Sequence, residues 1–285
     1  MKNKDVVTKI LQYHPLFPEN YSGCDNYKCG NPDEECTGVV TALVPTIEVI
    51  QKAIELHCNL LIVHEPTFYS TPDYAGWKAD FANQVFEEKK ELLEKNHITI
   101  WRDHDHMHAH QPDAIFTGVA KYLGWEEYIN TQGSQIPSVY RFTIPECTVQ
   151  ELRDDLVSKL KLNGIRYLGI PDAKVKRVSI AGHLMPGFMG MDYMDENGYY
   201  VEYGTTIIRE LEQNADVVIP GEITEWTVLS YVRDAIQLGK SKAIYNIGHF
   251  NLEELGMKFA RDWIAELVGE ALPVLYVPSG DMYRF

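Results

Sequence analysis

The sequence predicts an α/β protein assembled from two like halves. Two observations carry this. Short apolar runs of strand length alternate with longer amphipathic segments along all 285 residues. The order helix, strand, acidic residue, helix, strand, histidine also occurs twice, over 47–104 and again over 205–249.

Taken in order, residues 1–20 read as a short amphipathic helix ending near His14 and Pro15, and 21–37 as a loop rich in Gly, Asn, Asp, Cys and Pro. Residues 38–44 form a strand. Thr46 is placed to cap a helix over 47–57. Leu60, Leu61, Ile62 and Val63 then make an unbroken apolar run, as in a strand buried on both faces of a parallel sheet. Pro66, with no backbone donor, blocks the ladder. His64 and Glu65 therefore sit at the carboxyl end of a buried strand, where open α/β sheets place their ligands. A satisfied histidine and a solvated glutamate at a strand end are the alternative.

A charged helix follows over 78–95, striped by Ala79, Phe81, Val85, Phe86, Leu92 and Leu93. Residues 98–108 begin as a strand. If the extended backbone continues, His104, His106 and His108 point to one face. Three such imidazoles among aspartates suit a metal ion; a polar, exposed histidine-rich segment is the other possibility. A helix over 114–124 and a strand over 139–144 come next. Thr148 and Glu151 have capping-box spacing and start a helix running to 162. Strands over 167–170 and 175–181 lead to the Gly- and Met-rich stretch 182–190. Its His183 either sits in a turn that lets backbones approach or faces a site.

The last third runs helix 205–214, strand 216–219 ending in Pro220, Gly221 and Glu222, helix 226–238, strand 243–249, helix 252–268 and a closing strand 273–278. Residues 59–65 overlay 216–222, and 98–104 overlay 243–249. Four residues beyond each histidine stands another ligand-capable side chain, His108 after His104 and Glu253 after His249. Glu253 is expected in the first turn of its helix, where the positive helix end keeps a carboxylate ionised.

Composition narrows the function. A net charge of −15 argues against a nucleic-acid surface and disfavours an anionic membrane, while a cation is a natural partner for an acidic site. The start leads into no apolar signal segment, and no run reaches membrane-spanning length. Five unevenly spread cysteines suit a reducing cytoplasm. Cys24, Cys29 and Cys36 cluster without the paired spacing of a zinc knuckle.

Several stretches resemble the NIF-three-like family (NGG-one-interacting-factor-three-like proteins), whose members also go under GTP cyclohydrolase I type 2 homologue. Cys24-Asp25-Asn26 resembles its Trp-Asp-Asn, and the apolar run ending at His64-Glu65-Pro66 its His-His-Pro. Residues 215–222 resemble its Ala-Asp-x-x-x-Thr-Gly-Glu. Gly248-His249 followed by Glu253 resembles its Gly-His-x-x-x-Glu, the most specific match. The resemblance covers nearly the whole chain. It implies two interlocked α/β halves, about 1–130 and 131–285, with the site in the cleft between them and no inserted middle domain. It also implies a ring-like homohexamer.

The resemblance further implies two divalent ions per chain, zinc, iron or manganese, on His64, Glu65, His108, His249 and Glu253. Glu253 is the candidate bridge between ions about 3.5–4 Å apart. His104, His106 and Glu222 are candidates for supporting or proton-transfer roles. The sequence departs from the family pattern twice in opposite senses: Glu65 stands where the family has histidine, and His108 where it has aspartate. Three imidazoles and two carboxylates remain, which favours a rearranged site over a decayed one. Trp226 replaces a family histidine, which puts inherited substrate chemistry in question. The expected function is metal-dependent hydrolysis of a small molecule, a heterocycle or nucleotide derivative. A metal-binding or metal-delivery protein without turnover, and an oligomeric scaffold with a structural metal, are the alternatives. Recognition of a triphosphate would want a cationic cluster, for which Arg102 and Lys28 are the nearby basic candidates, and the net charge is unfavourable to it.

Overall fold

The computed structural model describes residues 1–69, 73, 83–130, 134, 136, 138–185, 187 and 190–284. Residues 78–82 at the start of the expected charged helix lie outside these, as do 186, 188 and 189 of the glycine-rich stretch. The chain forms two compact units. The first comprises Met1–Val119 and Glu253–Gly280, the second Ala120–Leu252 and Asp281–Phe285. Each unit is thus built from two chain segments.

In the first unit, α1 (Asn3–Tyr13) precedes β1 (Tyr27–Cys29), β2 (Val39–Ala42), α2 (Ile47–Glu55), β3 (Leu60–Val63), α3 (Gln84–Lys95), β4 (Thr99–Arg102), α4 (Asp105–Ala109) and α5 (Ala114–Leu123). β1 is a short strand inside the expected loop. Thr46 caps α2 as its sequence position predicts, accepting from Val49 N at 3.1 Å. Sheet order is β1-β4-β3-β2-β12, with β12 (Val274–Tyr276) added from the chain's end. β4, β3, β2 and β12 run parallel and only β1 antiparallel. All four residues of β3 are fully buried. Val40, Ala42, Leu61, Val63 and Ile100 pack on one face against Val49, Ile50 and Ala53 of α2 and Phe86 and Leu93 of α3.

The second unit holds β5 (Val139–Thr148), α6 (Val149–Leu160), β6 (Arg166–Leu168), β7 (Lys174–Ala181), the hairpin β8 (Tyr193–Met194) and β9 (Tyr200–Val201), α7 (Tyr203–Gln213), β10 (Val217–Pro220), α8 (Ser230–Gln237) and β11 (Ala243–Asn246). The Thr148–Glu151 capping box starts α6 as expected. Sheet order is β5-β7-β10-β11-β6, with β7, β10 and β11 mutually parallel. Ile207 and Leu211 of α7 and Val232 of α8 pack with Ala181, Val218 and Ile244. Helix α9 (His249–Val268) begins at His249 itself. Glu253 therefore lies in the second turn rather than the first, and the helix end acts on His249 instead.

Candidate metal centre

β3 ends where the sequence places His64 and Glu65, and its end is pinned. The backbone N–H groups of His64 and Glu65 both donate to Leu43 O, at 3.1 and 2.9 Å, and Asp103 N donates to Val63 O at 2.8 Å. β4 stops at Arg102 and the chain turns into α4. The extended backbone therefore does not continue, and the condition for His104, His106 and His108 to share a strand face is not met. The physical cause is Asp25, a buried loop carboxylate that accepts from His104 N, Asp105 N and His106 N at 2.8, 3.0 and 2.9 Å. Those are the donors a helix start leaves without partners. Helical spacing brings His104 and His108, four residues apart, to one side. Their ligand atoms lie within 4.8 Å of each other and of His64. His106 turns away, its Nδ1 2.6 Å from Asp25 Oδ2 and its ring stacked on Phe17 at 4.1 Å.

Each ring is oriented by an oxygen on its Nδ1. His64 Nδ1 lies 3.0 Å from the Asp103 carbonyl, His104 Nδ1 2.8 Å from Asp105 Oδ1, and His108 Nδ1 2.9 Å from Asp113 Oδ2. An oxygen there fixes the proton on Nδ1 and turns Nε2 outward as a ligand, the arrangement that supports metal-binding histidines. Asp113 serves twice, because its other oxygen caps α5 by accepting from Ile115 N and Phe116 N at 2.9 and 3.0 Å. The Nε2 atoms of His64 and His108 meet at 3.2 Å, and Glu253 Oε2 lies 3.4 Å from His64 Nε2. Glu65, His64 and Glu253 also have ligand atoms within 4.8 Å of one another. With His64 fully buried and Glu65 and Glu253 nearly so, two ring nitrogens stripped of Nδ1 freedom converge beside two carboxylates. A proton or a metal ion between the two ring nitrogens satisfies that arrangement. The donor set fits a divalent cation.

The electrostatics agree. Burial opposes charge on His108, but the Asp113 hydrogen bond and the Glu253 and Glu65 carboxylates outweigh it and push the imidazole up to about 9. Burial, reinforced by His64, holds His104 below the usual histidine range. The His104 hydrogen bond holds Asp105 well below the usual carboxylate range, while Tyr21 OH also donates to it at 2.6 Å. Burial pushes the neighbouring Cys24 thiol up, so it stays protonated beside Asp105.

The two nearby basic candidates for a triphosphate are otherwise engaged. Arg102 is buried, donating to His64 O at 2.8 Å and pairing with Glu65 at 3.3 Å. Lys28 is buried with Nζ on Asp73 O at 2.8 Å.

Of the five expected ligands, His64, Glu65, His108 and Glu253 lie in the first unit. His249 belongs to the second, where its Nδ1 is 2.8 Å from Glu222 Oε1 and where His183 also faces Glu222. Sequence reasoning missed Asp25, Asp105 and Asp113 as supports. Asp113 was findable, since an aspartate directly before an apolar helical run is an N-cap signature.

A sequence profile described as Duf34/NIF3 (NGG1p interacting factor 3) matches residues 1–183. A protein of Clostridium acetobutylicum called GTP cyclohydrolase 1 type 2 homolog is 22% identical over 89% of this chain and 85% of its own. A Clostridium perfringens protein of the same name is 24% identical over 89% and 87%. Among solved structures, a Bacillus cereus protein related to NIF3 superposes with a TM-score of 0.71 at 16% identity, over 100% of this chain and 99% of the other. A Staphylococcus aureus hypothetical protein gives 0.70 at 20% identity over the same shares. These superpositions establish the shared α/β fold.

Proposed function

The chain belongs to the Duf34/NIF3 family, and from that premise we propose that it is a divalent-metal-dependent hydrolase of a small molecule. The supporting observation is the pair of Nε2 atoms of His64 and His108, 3.2 Å apart with both Nδ1 atoms committed to oxygens. A divalent ion bound there supplies Lewis acidity and an activated water nucleophile. His64, His104 and His108 give three imidazoles within the first unit, and Glu65 and Glu253 two carboxylates. That count would be enough to hold two ions, and zinc, iron and manganese all accept the mixture. His249, the fifth expected ligand, opens α9 four residues ahead of Glu253.

Among the chain's own residues, Asp103, Asp105 and Asp113 orient the rings. Arg102 holds Glu65 in place and neutralises it in part. The relatives' name points to a heterocyclic substrate. A triphosphate is disfavoured, because Arg102 and Lys28 are buried and internally bonded. A ring-like homohexamer belongs to the same proposal.

The test is metal content and turnover measured together. Purified protein is expected to carry divalent metal and to hydrolyse members of a panel of heterocyclic amides and nucleosides. Chelation should abolish turnover and metal return should restore it. Turnover that survives complete metal removal would defeat the proposal. Bound metal with no turnover across the panel would favour metal binding alone.

A further inference from the structure

We propose that Glu254 and Ser279 are positioning residues for the metal centre, setting where the backbone of His64 and Glu65 lies. The inference rests on the metal-centre proposal above and adds to it two residues outside the donor set. It starts from an irregularity at the end of β2. On the β3 side, β2 pairs from Val39 with Leu60 to Ala42 with Val63, and Leu60 N donates to Gly38 O. Continued regularly, that ladder would have His64 N donate to Ala42 O. It donates instead to Leu43 O, as does Glu65 N. On the β12 side, Tyr276 pairs with Thr41 and Val277 N donates to Thr41 O, so the next donor to Leu43 O would be Ser279 N. Ser279 N donates instead to both oxygens of Glu254, at 3.2 and 3.1 Å. Leu43 is thus turned out of the regular ladder, and its carbonyl, with two lone pairs, serves both ligand residues.

Ser279 and Glu254 hold the displaced backbone. The Ser279 side chain takes the place of its main chain: Oγ accepts from Val44 N at 3.0 Å and donates to Val44 O at 3.1 Å. Glu254 fixes Ser279 from the other side and is itself held by Tyr276, whose OH donates to Oε1 at 2.9 Å. Glu254 directly follows Glu253 on α9, and Glu253 Oε2 lies 3.4 Å from His64 Nε2. The contacts therefore close a circuit, from Glu253 through Glu254, Ser279, Val44 and Leu43 to His64 and back to Glu253. Every member belongs to the first unit. Such a circuit fixes the spacing between a ligand on a helix and two ligands at a strand end while supplying no donor of its own. Metal sites depend on supports of this kind, because a ligand held at the wrong distance binds weakly.

The experiment compares Ser279→Ala, which removes the hydroxyl, with Ser279→Thr, which keeps one. In metal-free protein, amide hydrogen exchange followed by NMR should be about tenfold faster at His64 and Glu65 in Ser279→Ala, and unchanged at Leu60 at the other end of β3. Cobalt(II), titrated against a chelator, should bind Ser279→Ala about tenfold more weakly. Its visible absorption should change as well, because the ligand geometry changes. Ser279→Thr should restore the exchange rates, the affinity and the spectrum. Glu254→Gln, which leaves a single acceptor oxygen for Ser279 N and Tyr276 OH, should shift all three in the same sense as Ser279→Ala. A merely structural pair would instead raise exchange at Leu60, His64 and Glu65 alike and leave the cobalt affinity and spectrum of the folded variants unchanged, and that pattern would overturn the assignment. A wild type that binds no cobalt defeats the metal centre itself, and the amide comparison then decides the positioning role without it.

Discussion

Nε2 of His64 and Nε2 of His108 face each other at 3.2 Å, and neither ring is at liberty to turn away. The Asp103 carbonyl holds one and the Asp113 carboxylate the other. The candidate centre follows from this pair, because fixing the Nδ1 protons determines which atoms point inward.

Asp113→Ala is expected to weaken first-unit metal binding by roughly 10–100-fold, the usual cost of removing a carboxylate behind a metal-bound histidine. It also removes the α5 cap, which costs about 1 kcal/mol of stability. Chelator competition reads the first effect and thermal unfolding the second. A loss of stability with unchanged affinity would mean that Asp113 is only a cap.

His104→Ala and His106→Ala separate the helical geometry from an extended one. On α4, His104 shares a side with His108 while His106 is bonded to Asp25. His104→Ala should lower metal content, and His106→Ala should leave it intact while destabilising the fold. Equal losses of metal in both variants would point to a strand-like segment.

The exchanged pair Glu65 and His108 is expected to behave as a coupled unit. Glu65→His leaves too little negative charge for two divalent ions, and His108→Asp shifts preference towards harder ions such as manganese. The double change should recover much of the loading, a departure from additivity that metal stoichiometry detects. Glu65→Ala should also cost about 3 kcal/mol, since it removes a carboxylate from buried Arg102. Additive losses in the double variant would show that the two residues do not share a centre.

Acid stability reports on Glu210 in the second unit. Burial opposes its charge, but Arg141, Asn214 and Ser179 outweigh it and hold the carboxyl below its ordinary 4.5. A depressed folded pKa stabilises fully above 4.5, and the benefit is lost as pH falls through the folded value. Glu210→Gln should therefore lower stability at pH 7 by about 2 kcal/mol and flatten the decline in acid. Urea unfolding at pH 3 and pH 7 checks this; an unchanged difference between the two pH values would contradict it.

Much of this fold was legible in the sequence because the signals were local. The run Leu60 to Val63 specified a doubly buried strand, Thr46 and Thr148 marked helix starts, and the strand-end positions of His64 and Glu222 followed. Helix α4 was not legible. Its five residues carry no apolar stripe, their alternating Asp and His mimic an extended strand, and the capping carboxylate that starts the helix is Asp25, eighty residues away from Asp105. The return of β12 to pair with β2 was hidden for a similar reason, since the partners Val274 and Val39 lie at opposite ends of the chain. The anchoring of His64 by a main-chain carbonyl leaves no side-chain signature at all.

The central claim is that His64 and His108 share a divalent ion through Nε2. A crystal grown with zinc and measured at the zinc absorption edge tests it most directly. The expected anomalous peak lies about 2.1 Å from both Nε2 atoms, next to a Glu253 oxygen. A zinc-containing crystal with no peak there, and with the two rings still in hydrogen-bond contact, would contradict it.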